Sequence, residues 1–393
     1  MRNSDSEPLR VLFVISNLSY AGAQLQMLTL LRNLDRSKIS PEVCTLSERS
    51  ELELEITKLG IPLWRTTKRF RYDPWIFVRF AQLCRRRRIQ VIYSWLEFDN
   101  LVGRVGGRLA GVPCIIASEC NTNYTLPGLR KYLEKWTIRL SDVIVTPSLA
   151  GRKFLMEDKK VTSDRIRVIH NGFDSGSLKI STPGELRRRF SVPSDAIVIG
   201  LAARIRPQKN FDLFFDVGEK LTTASPNVWF LHVGDIAPTY ESYGEWVHER
   251  QKTLRNAERI ILGGLCREMG KFYEAIDILL FTSDYESSPT VLVEGMMTGL
   301  PVVSTDVGDN QHVLGDQGGI ITAVGDEQAL VAGLTKLIED RELRKRMGEY
   351  NRQRATDLFS LRRMISETEQ TIIDLYHSKF GLIRNHEMAS NSP

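Results

Sequence analysis

Glu286-Ser-Ser-Pro-Thr-Val-Leu-Val-Glu294 is the stretch on which the reading of this chain turns. Two carboxylates stand eight positions apart, with Ser-Pro between them. Proline favours the first position of a helix, where its missing N–H would be unpaired in any case. The apolar run Ile278-Leu-Leu-Phe281 comes just before, and Gly299-Leu-Pro301 with Val302-Val303-Ser304 comes after. The order predicts a strand, an acidic loop, a helix start, and a second acid one helical turn in. A helix N-terminus gathers backbone N–H groups and attracts phosphate. The flanking carboxylates are acceptors suited to sugar hydroxyls. Two glutamates at this spacing also occur by chance in many soluble proteins, so the reading needs a second, independent signal.

That signal lies about 80 residues earlier. Ile197-Val-Ile-Gly-Leu-Ala-Ala203 reads as a buried strand and runs into Arg204-Ile-Arg-Pro-Gln-Lys209-Asn210. Two fixed cations after a buried strand suit a diphosphate, with guanidinium giving planar multi-donor contacts and ammonium a point charge. The bland alternative is a solvated basic loop. Taken together, in this order and separation, the two segments resemble the donor site of the "glycosyl transferases group 1" family, retaining enzymes of the GT-B fold.

The resemblance implies an α/β chain of two Rossmann-like, doubly wound domains facing across a cleft. The second domain would hold a nucleotide sugar and the first an acceptor. Arg204 and Lys209 would grip the diphosphate, Glu294 would meet the ribose, and Glu286 would lie by the donor sugar. Backbone groups of Ser287, Ser288, Thr290 and Val291 would contact sugar and phosphate. Pro289 offers no N–H, but its fixed φ helps set the turn. Gly263-Gly264-Leu265-Cys266 resembles the loop that holds the base, which makes Leu265 a candidate contact; a plain tight turn is the other reading. Ser16-Asn-Leu-Ser-Tyr-Ala-Gly22-Ala23-Gln24 resembles the family's Gly-Gly-x-Glu/Gln loop, with Ala23 in place of the second glycine. Gly22 would let backbone approach phosphate and acceptor. One departure stands out. Many family members carry a histidine near the reacting centre, where this chain has Ile116-Ala-Ser118-Glu119-Cys120-Asn121. Glu119 or Asn121 is the candidate for that sugar-contacting, catalytic place, and a structural role for Glu119 is the alternative.

Composition sets the outer bounds. A chain of 393 residues suits two domains. With 42% hydrophobic and 26% charged residues it reads as an ordinary globular protein. No apolar run approaches the ~18 residues of a membrane span, and Met1-Arg-Asn-Ser-Asp-Ser-Glu-Pro8 lacks the apolar core of a signal peptide. The five cysteines are scattered, without a metal-like spacing. These points lead to the expectation of a cytoplasmic protein, and the family resemblance adds that no metal and no cofactor is needed beyond a nucleotide-sugar substrate.

Charge is uneven. Residues 1–180 hold 29 Lys+Arg against 18 Asp+Glu, a balance of +11, and the remainder holds 24 against 30, or −6. The excess concentrates in 64–88, where Arg65, Lys68, Arg69, Arg71, Arg79 and Arg85 to Arg88 face only Asp73 within the segment. Trp64, Phe70, Tyr72, Trp75 and Phe77 are interleaved. Such a segment suits peripheral contact with the inner membrane surface or a solvated helix face over buried aromatics. No nucleic-acid motif accompanies it, so nucleic acid is not an expected partner.

Short β runs alternate with helical patterns throughout. Strands are predicted at Arg10–Ser16, Pro41–Leu46, Gln90–Tyr93, Pro113–Ala117, Asp142–Thr146 and Ile166–Ile169, then at Ile197–Ala203, Val228–Val233, Arg259–Leu262, Ile278–Phe281 and Pro301–Ser304. Near-continuous Val/Ile/Leu runs mark parallel strands covered on both faces. Domains are placed at 1–177 and 178–365, with 366–393 returning to the first domain by resemblance and ending in a frayed tail. The function expected from all this is a retaining, metal-independent hexosyl- or N-acetylhexosaminyltransferase. Its donor would be a nucleotide diphosphate sugar, in particular a UDP-sugar, and its acceptor a glycan or lipid-linked molecule in cell-surface polysaccharide or glycoconjugate synthesis. The rivals are a GT-B sugar-nucleotide epimerase and a non-catalytic nucleotide-sugar-binding partner subunit.

Overall fold

The computed structural model describes residues 7–19, 22–48, 50–70, 73–120, 129–178, 182–286 and 290–381. Contacts divide the chain into two compact units, residues 1–172 with 362–393, and 173–361. The division falls five residues before the boundary placed from sequence.

The first unit is built on strands β1 (Leu9–Ile15), β2 (Ile39–Thr45), β3 (Leu63–Arg65), β4 (Val91–Ser94), β5 (Cys114–Ser118), β6 (Val143–Thr146) and β7 (Ile166–Val168). They form a parallel sheet in the order β3-β2-β1-β4-β5-β6-β7. The centre of β1, Val11 to Ile15, is fully buried, as its unbroken apolar run requires of a strand with helices on both sides. The chain winds outward one way from β1 through β2 and β3, then crosses to β4 and winds the other way. The point of reversal, between the carboxyl ends of β1 and β4, is where open α/β sheets bind ligands. Helix Leu361–Lys379 closes this unit. Its Glu369 accepts the Asp35 N–H at 2.7 Å, its Tyr376 hydroxyl accepts from Gln90 at 2.8 Å, and its Lys379 pairs with Asp142 at 2.7 Å.

The second unit repeats the plan with β8 (Ile197–Ala202), β9 (Val228–Val233), β10 (Ile260–Leu262), β11 (Ile278–Phe281), β12 (Val302–Thr305) and β13 (Gly319–Thr322), in the order β10-β9-β8-β11-β12-β13. All pairs are parallel. Alternate residues of β11 feed two different cores. Leu279 packs with Phe272 and Leu292, whereas Ile278 and Leu280 pack with Phe211, Phe214 and Phe215. This is the period-two geometry of a strand buried on both faces. The reversal point lies between β8 and β11.

Both units are therefore doubly wound and Rossmann-like. The sequence pattern does not mark β3 or β13. Each is an edge strand of three or four residues, and its residues are largely half-buried. That leaves too short an apolar run to register. Among the described residues, no helix is long and apolar enough to cross a membrane.

Candidate functional site

The two segments singled out in the sequence meet at the reversal point of the second sheet. Arg204 and Lys209 follow β8, and Glu286 follows the adjacent strand β11. Lys209 Nζ bonds Glu286 Oε1, and both side chains are 12% exposed. Four further hydrogen bonds join the two loops. Thr282 Oγ1 donates to the Lys209 carbonyl at 2.8 Å, and the Asp284 N–H donates to the Gln208 carbonyl at 2.9 Å. Gln208 Nε2 donates to the Tyr285 carbonyl at 2.5 Å, and Asn210 Nδ2 donates to Asp284 Oδ1 at 2.8 Å. Asn210 adopts φ 51°, a left-handed conformation that asparagine tolerates better than most residues. Its Oδ1 accepts the Leu213 N–H at 3.1 Å and so caps helix Phe211–Ala224. Lys209 is thus fixed on its own loop and on its neighbour. Arg204 is exposed, and its guanidinium has no acidic partner among the described residues.

Helix Thr290–Thr298 begins with Thr290 and Val291, both half-buried, and carries Glu294 in its second turn. Ser287, Ser288 and Pro289 lie outside the described residues. The hydroxyl of buried Tyr273 donates to Glu294 Oε2 at 2.7 Å. Burial raises the Glu294 carboxyl above the usual carboxylate range, while the tyrosine hydrogen bond works the other way. Burial, followed by the Glu294 charge, drives the Tyr273 phenol up as well. Tyr273 escaped the sequence reading. The signal available was a tyrosine on an apolar helix face just before a strand, since a buried phenol requires a polar partner.

The loops after β9 and β10 complete this edge. Gly234 has φ +149°, and a Cβ there would lie 1.8 Å from the Ala203 carbonyl oxygen, so only glycine fits. Its N–H donates to the Gly264 carbonyl at 2.9 Å, and the Gly263 N–H donates to the His232 carbonyl at 2.8 Å. Leu265 projects beyond them, 57% exposed. His232 is fully buried, and burial pushes its imidazole down to about 4, so it is neutral near pH 7. Its Nε2–H donates to the Ala203 carbonyl at 2.8 Å and steadies the backbone just before Arg204.

The first unit's reversal point is built differently. Gly22 opens helix Gly22–Asn33 and is exposed, and a Cβ added there would meet nothing within 4 Å. Neither packing nor a positive φ calls for glycine at this position. Before it, Asn17 Oδ1 accepts from Ser19 Oγ at 2.7 Å and Gln24 Nε2 at 3.1 Å. Ser16 Oγ donates to Oδ1 of buried Asp99, which lies on the helix after β4. Burial pushes the Asp99 carboxyl up to about 7. Glu119 sits in a buried ion pair with Arg104 at 3.2 Å and accepts from Asn100 at 3.0 Å. Arg104 in turn donates to Ser141 at 2.8 Å. This environment is that of a structural anchor, one of the two roles open to Glu119 from the sequence. Asn121 lies outside the described residues.

Comparison with known proteins gives this geometry its context. The family model described as Glycosyl transferases group 1 matches residues 184–354, and that described as Glycosyltransferase Family 4 matches residues 20–176. The UDP-Gal:alpha-D-GlcNAc-diphosphoundecaprenol alpha-1,3-galactosyltransferase of Escherichia coli is 22% identical over 314 residues, covering 77% of this chain and 80% of that protein. The N-acetyl-alpha-D-glucosaminyl L-malate synthase of Bacillus anthracis is 22% identical over 317 residues, covering 78% and 81%. Among solved structures, Anabaena HepE in complex with UDP superposes with a TM-score of 0.82 at 19% identity, covering 93% of this chain and 100% of that one. WaaG, a glycosyltransferase involved in lipopolysaccharide biosynthesis, gives 0.68 at 15% identity, covering 92% and 99%. These likenesses establish the GT-B fold, and the two family models between them span well over half of the chain. The chain belongs to the glycosyl transferases group 1 family and is a glycosyltransferase, moving a sugar from a nucleotide sugar to an acceptor.

Proposed function

We propose that this glycosyltransferase is retaining and metal-independent, and that it transfers a hexose or N-acetylhexosamine from a UDP-sugar to a lipid-linked or glycan acceptor. The observation that carries the reading is the joined pair of loops at the second sheet's reversal point. It sets Lys209 against Glu286, shortly before the helix that bears Glu294, with Arg204 just past the end of the neighbouring strand β8. Arg204, Lys209 and the N-terminus of helix Thr290–Thr298 supply positive charge for the departing diphosphate. A unit pair at 4 Å is worth roughly 4 kcal/mol at an effective dielectric of 20, so two cations with a helix end can do the work of a metal ion. Tyr273 leaves Glu294 Oε1 to accept from ribose hydroxyls, and exposed Leu265 offers an apolar surface to the base. Attack on the face from which the diphosphate leaves, with its oxygen taking the proton, needs no side-chain nucleophile. Charge placement and positioning then carry the rate. The choice of UDP draws support from the galactosyltransferase relative, named for UDP-Gal, and from the HepE complexes with UDP and UDP-glucose.

The test is transfer from a panel of nucleotide sugars to a lipid-diphosphate-linked sugar acceptor in the presence of EDTA, with the product anomer assigned by NMR. A UDP-sugar should give an axial product linkage from an axial donor at full rate. Inversion, or loss of activity that added metal restores, overturns the reading.

The same reading places the protein in the cytoplasm, against the inner membrane face. Helix Trp75–Arg87 exposes Trp75 and Val78 in its first turn and Arg85 and Arg86 in its last, with Phe70 exposed just before it. Three other cations of this segment are already paired, Arg65 with Glu53, Arg79 with Asp73 and Arg87 with Glu42. Arg69, Arg85, Arg86 and Arg88 are exposed, Arg85 also donating to the Leu109 carbonyl, and these are the cations proposed to meet headgroups. Neutralising Arg85, Arg86 and Arg88 should reduce sedimentation with anionic liposomes at low salt. A wild-type protein that ignores such liposomes removes the membrane from the proposal.

A further inference from the structure

We infer that the Lys209–Glu286 ion pair makes the site favour the sugar-bearing donor over the bare nucleoside diphosphate left after transfer. The inference rests on the reading of Arg204 and Lys209 as diphosphate ligands. Lys209 and Glu286 are bonded to each other in a place largely shielded from solvent. Four hydrogen bonds between their loops fix the chain up to Tyr285, so Glu286 leaves a tethered backbone and its carboxylate stays within reach of Lys209 when phosphate arrives. Any ligand that offers phosphate oxygens to Lys209 therefore sets negative charge beside a carboxylate and draws on the cation that neutralises it.

The two ligands differ in what they return to Glu286. A nucleotide sugar brings hydroxyls, which donate to the carboxylate and replace what Lys209 gives up to phosphate. A bare diphosphate brings none, and leaves a shielded carboxylate poorly partnered, a situation that disfavours binding. The penalty falls on the product and not on the substrate. Discrimination of this kind works through a repulsive element as well as an attractive one. Arg204, exposed and without an acidic partner among the described residues, attracts both ligands alike.

Calorimetry on the full chain tests this with three probes: inorganic pyrophosphate, which lacks base and sugar, UDP, and the UDP-sugar that supports transfer. Glu286→Gln keeps the shape of the side chain and removes its charge, and Glu286→Ala guards against new hydrogen bonds from the amide. Both variants should bind pyrophosphate and UDP about tenfold tighter than wild type, the equivalent of one charge-assisted contact. Neither should bind the UDP-sugar tighter, so the preference for donor over product collapses. Unchanged or weaker binding of pyrophosphate and UDP, or equal tightening for all three probes, overturns the inference. Failure of the underlying reading would show separately, as wild-type pyrophosphate affinity in Arg204→Ala.

Discussion

The two reversal points share one topology and differ in what they do with charge. In the second unit Arg204, Lys209 and Glu286 stand on loops, and Lys209 and Glu286 are bonded to each other. In the first unit the carboxylates are sunk into the structure. Glu119 is fixed by Arg104 and Asn100, and Asp99 holds Ser16, leaving the loop around Gly22 to present hydroxyls, amides and backbone. Division of labour in this fold thus lies in the loops and not in the sheets. On the proposed function, one unit would offer formal charge to a diphosphate, and the other neutral hydrogen-bonding groups to an acceptor hydroxyl.

The contrast can be broken most decisively at Arg104. If the Arg104–Glu119 pair is structural, Arg104→Ala leaves a carboxylate 6% exposed without its counter-ion. Stability should fall by about 3–5 kcal/mol, read as a lower denaturant midpoint. Preserved stability with lost turnover would instead return Glu119 to the chemistry. Next in size, Lys209→Ala or Arg204→Ala should lower turnover by about 10²–10³-fold, as for loss of a strong oxyanion donor, with little change in the melting profile. Wild-type turnover in either variant would remove the charge-bearing role from the second unit. A smaller effect is expected at Tyr273, whose hydroxyl orients Glu294. Tyr273→Phe should cost about 1.5–3 kcal/mol of stability, the range for a hydrogen bond to a charged group, and should weaken UDP binding with it. Unaltered UDP affinity would separate Glu294 from the ribose.

The smallest effect per step, spread over a window of pH, concerns Asp99. Burial raises the Asp99 carboxyl from 3.8 to about 7 in the folded protein. Between about pH 4 and 7 the folded state therefore holds a proton that the unfolded chain has already released. Stability should fall as pH rises through that window, by up to about 1.4 kcal/mol per unit. Asp99→Asn should flatten this slope in urea titrations at several pH values. An identical slope in the variant would mean that Asp99 is not shifted, and that the first reversal point carries a free charge after all.

What could be read from the sequence follows from how local the signals are. Central strands such as Val11–Ile15 and Ile278–Phe281 show themselves because burial on both faces demands an unbroken apolar run. Leu63–Arg65 and Gly319–Thr322 do not, because a short edge strand makes no such demand. At the site, spacing within a segment pointed to Arg204, Lys209, Glu286 and Glu294. Nothing in either segment says that Lys209 bonds Glu286, because that contact depends on β8 and β11 being neighbours across a reversal. The pairing of Arg87 with Glu42, and of Arg65 with Glu53, was hidden for the same reason. Counting charges within 64–88 could not reveal acids supplied by other elements.

The return of helix Leu361–Lys379 to the first unit bears on how the protein is made. Ribosomes deliver a chain from its N-terminus, and domains generally fold as they emerge. Here the first seven strands come out well before the helix that covers them. Met364, Thr368 and Ile372, all buried in the finished molecule, follow only after the whole second unit has been synthesised. The N-terminal sheet thus spends much of its translation with an apolar flank uncovered, a form that invites chaperones. The second unit, continuous from 173 to 361, can reach its native state first, although it begins later.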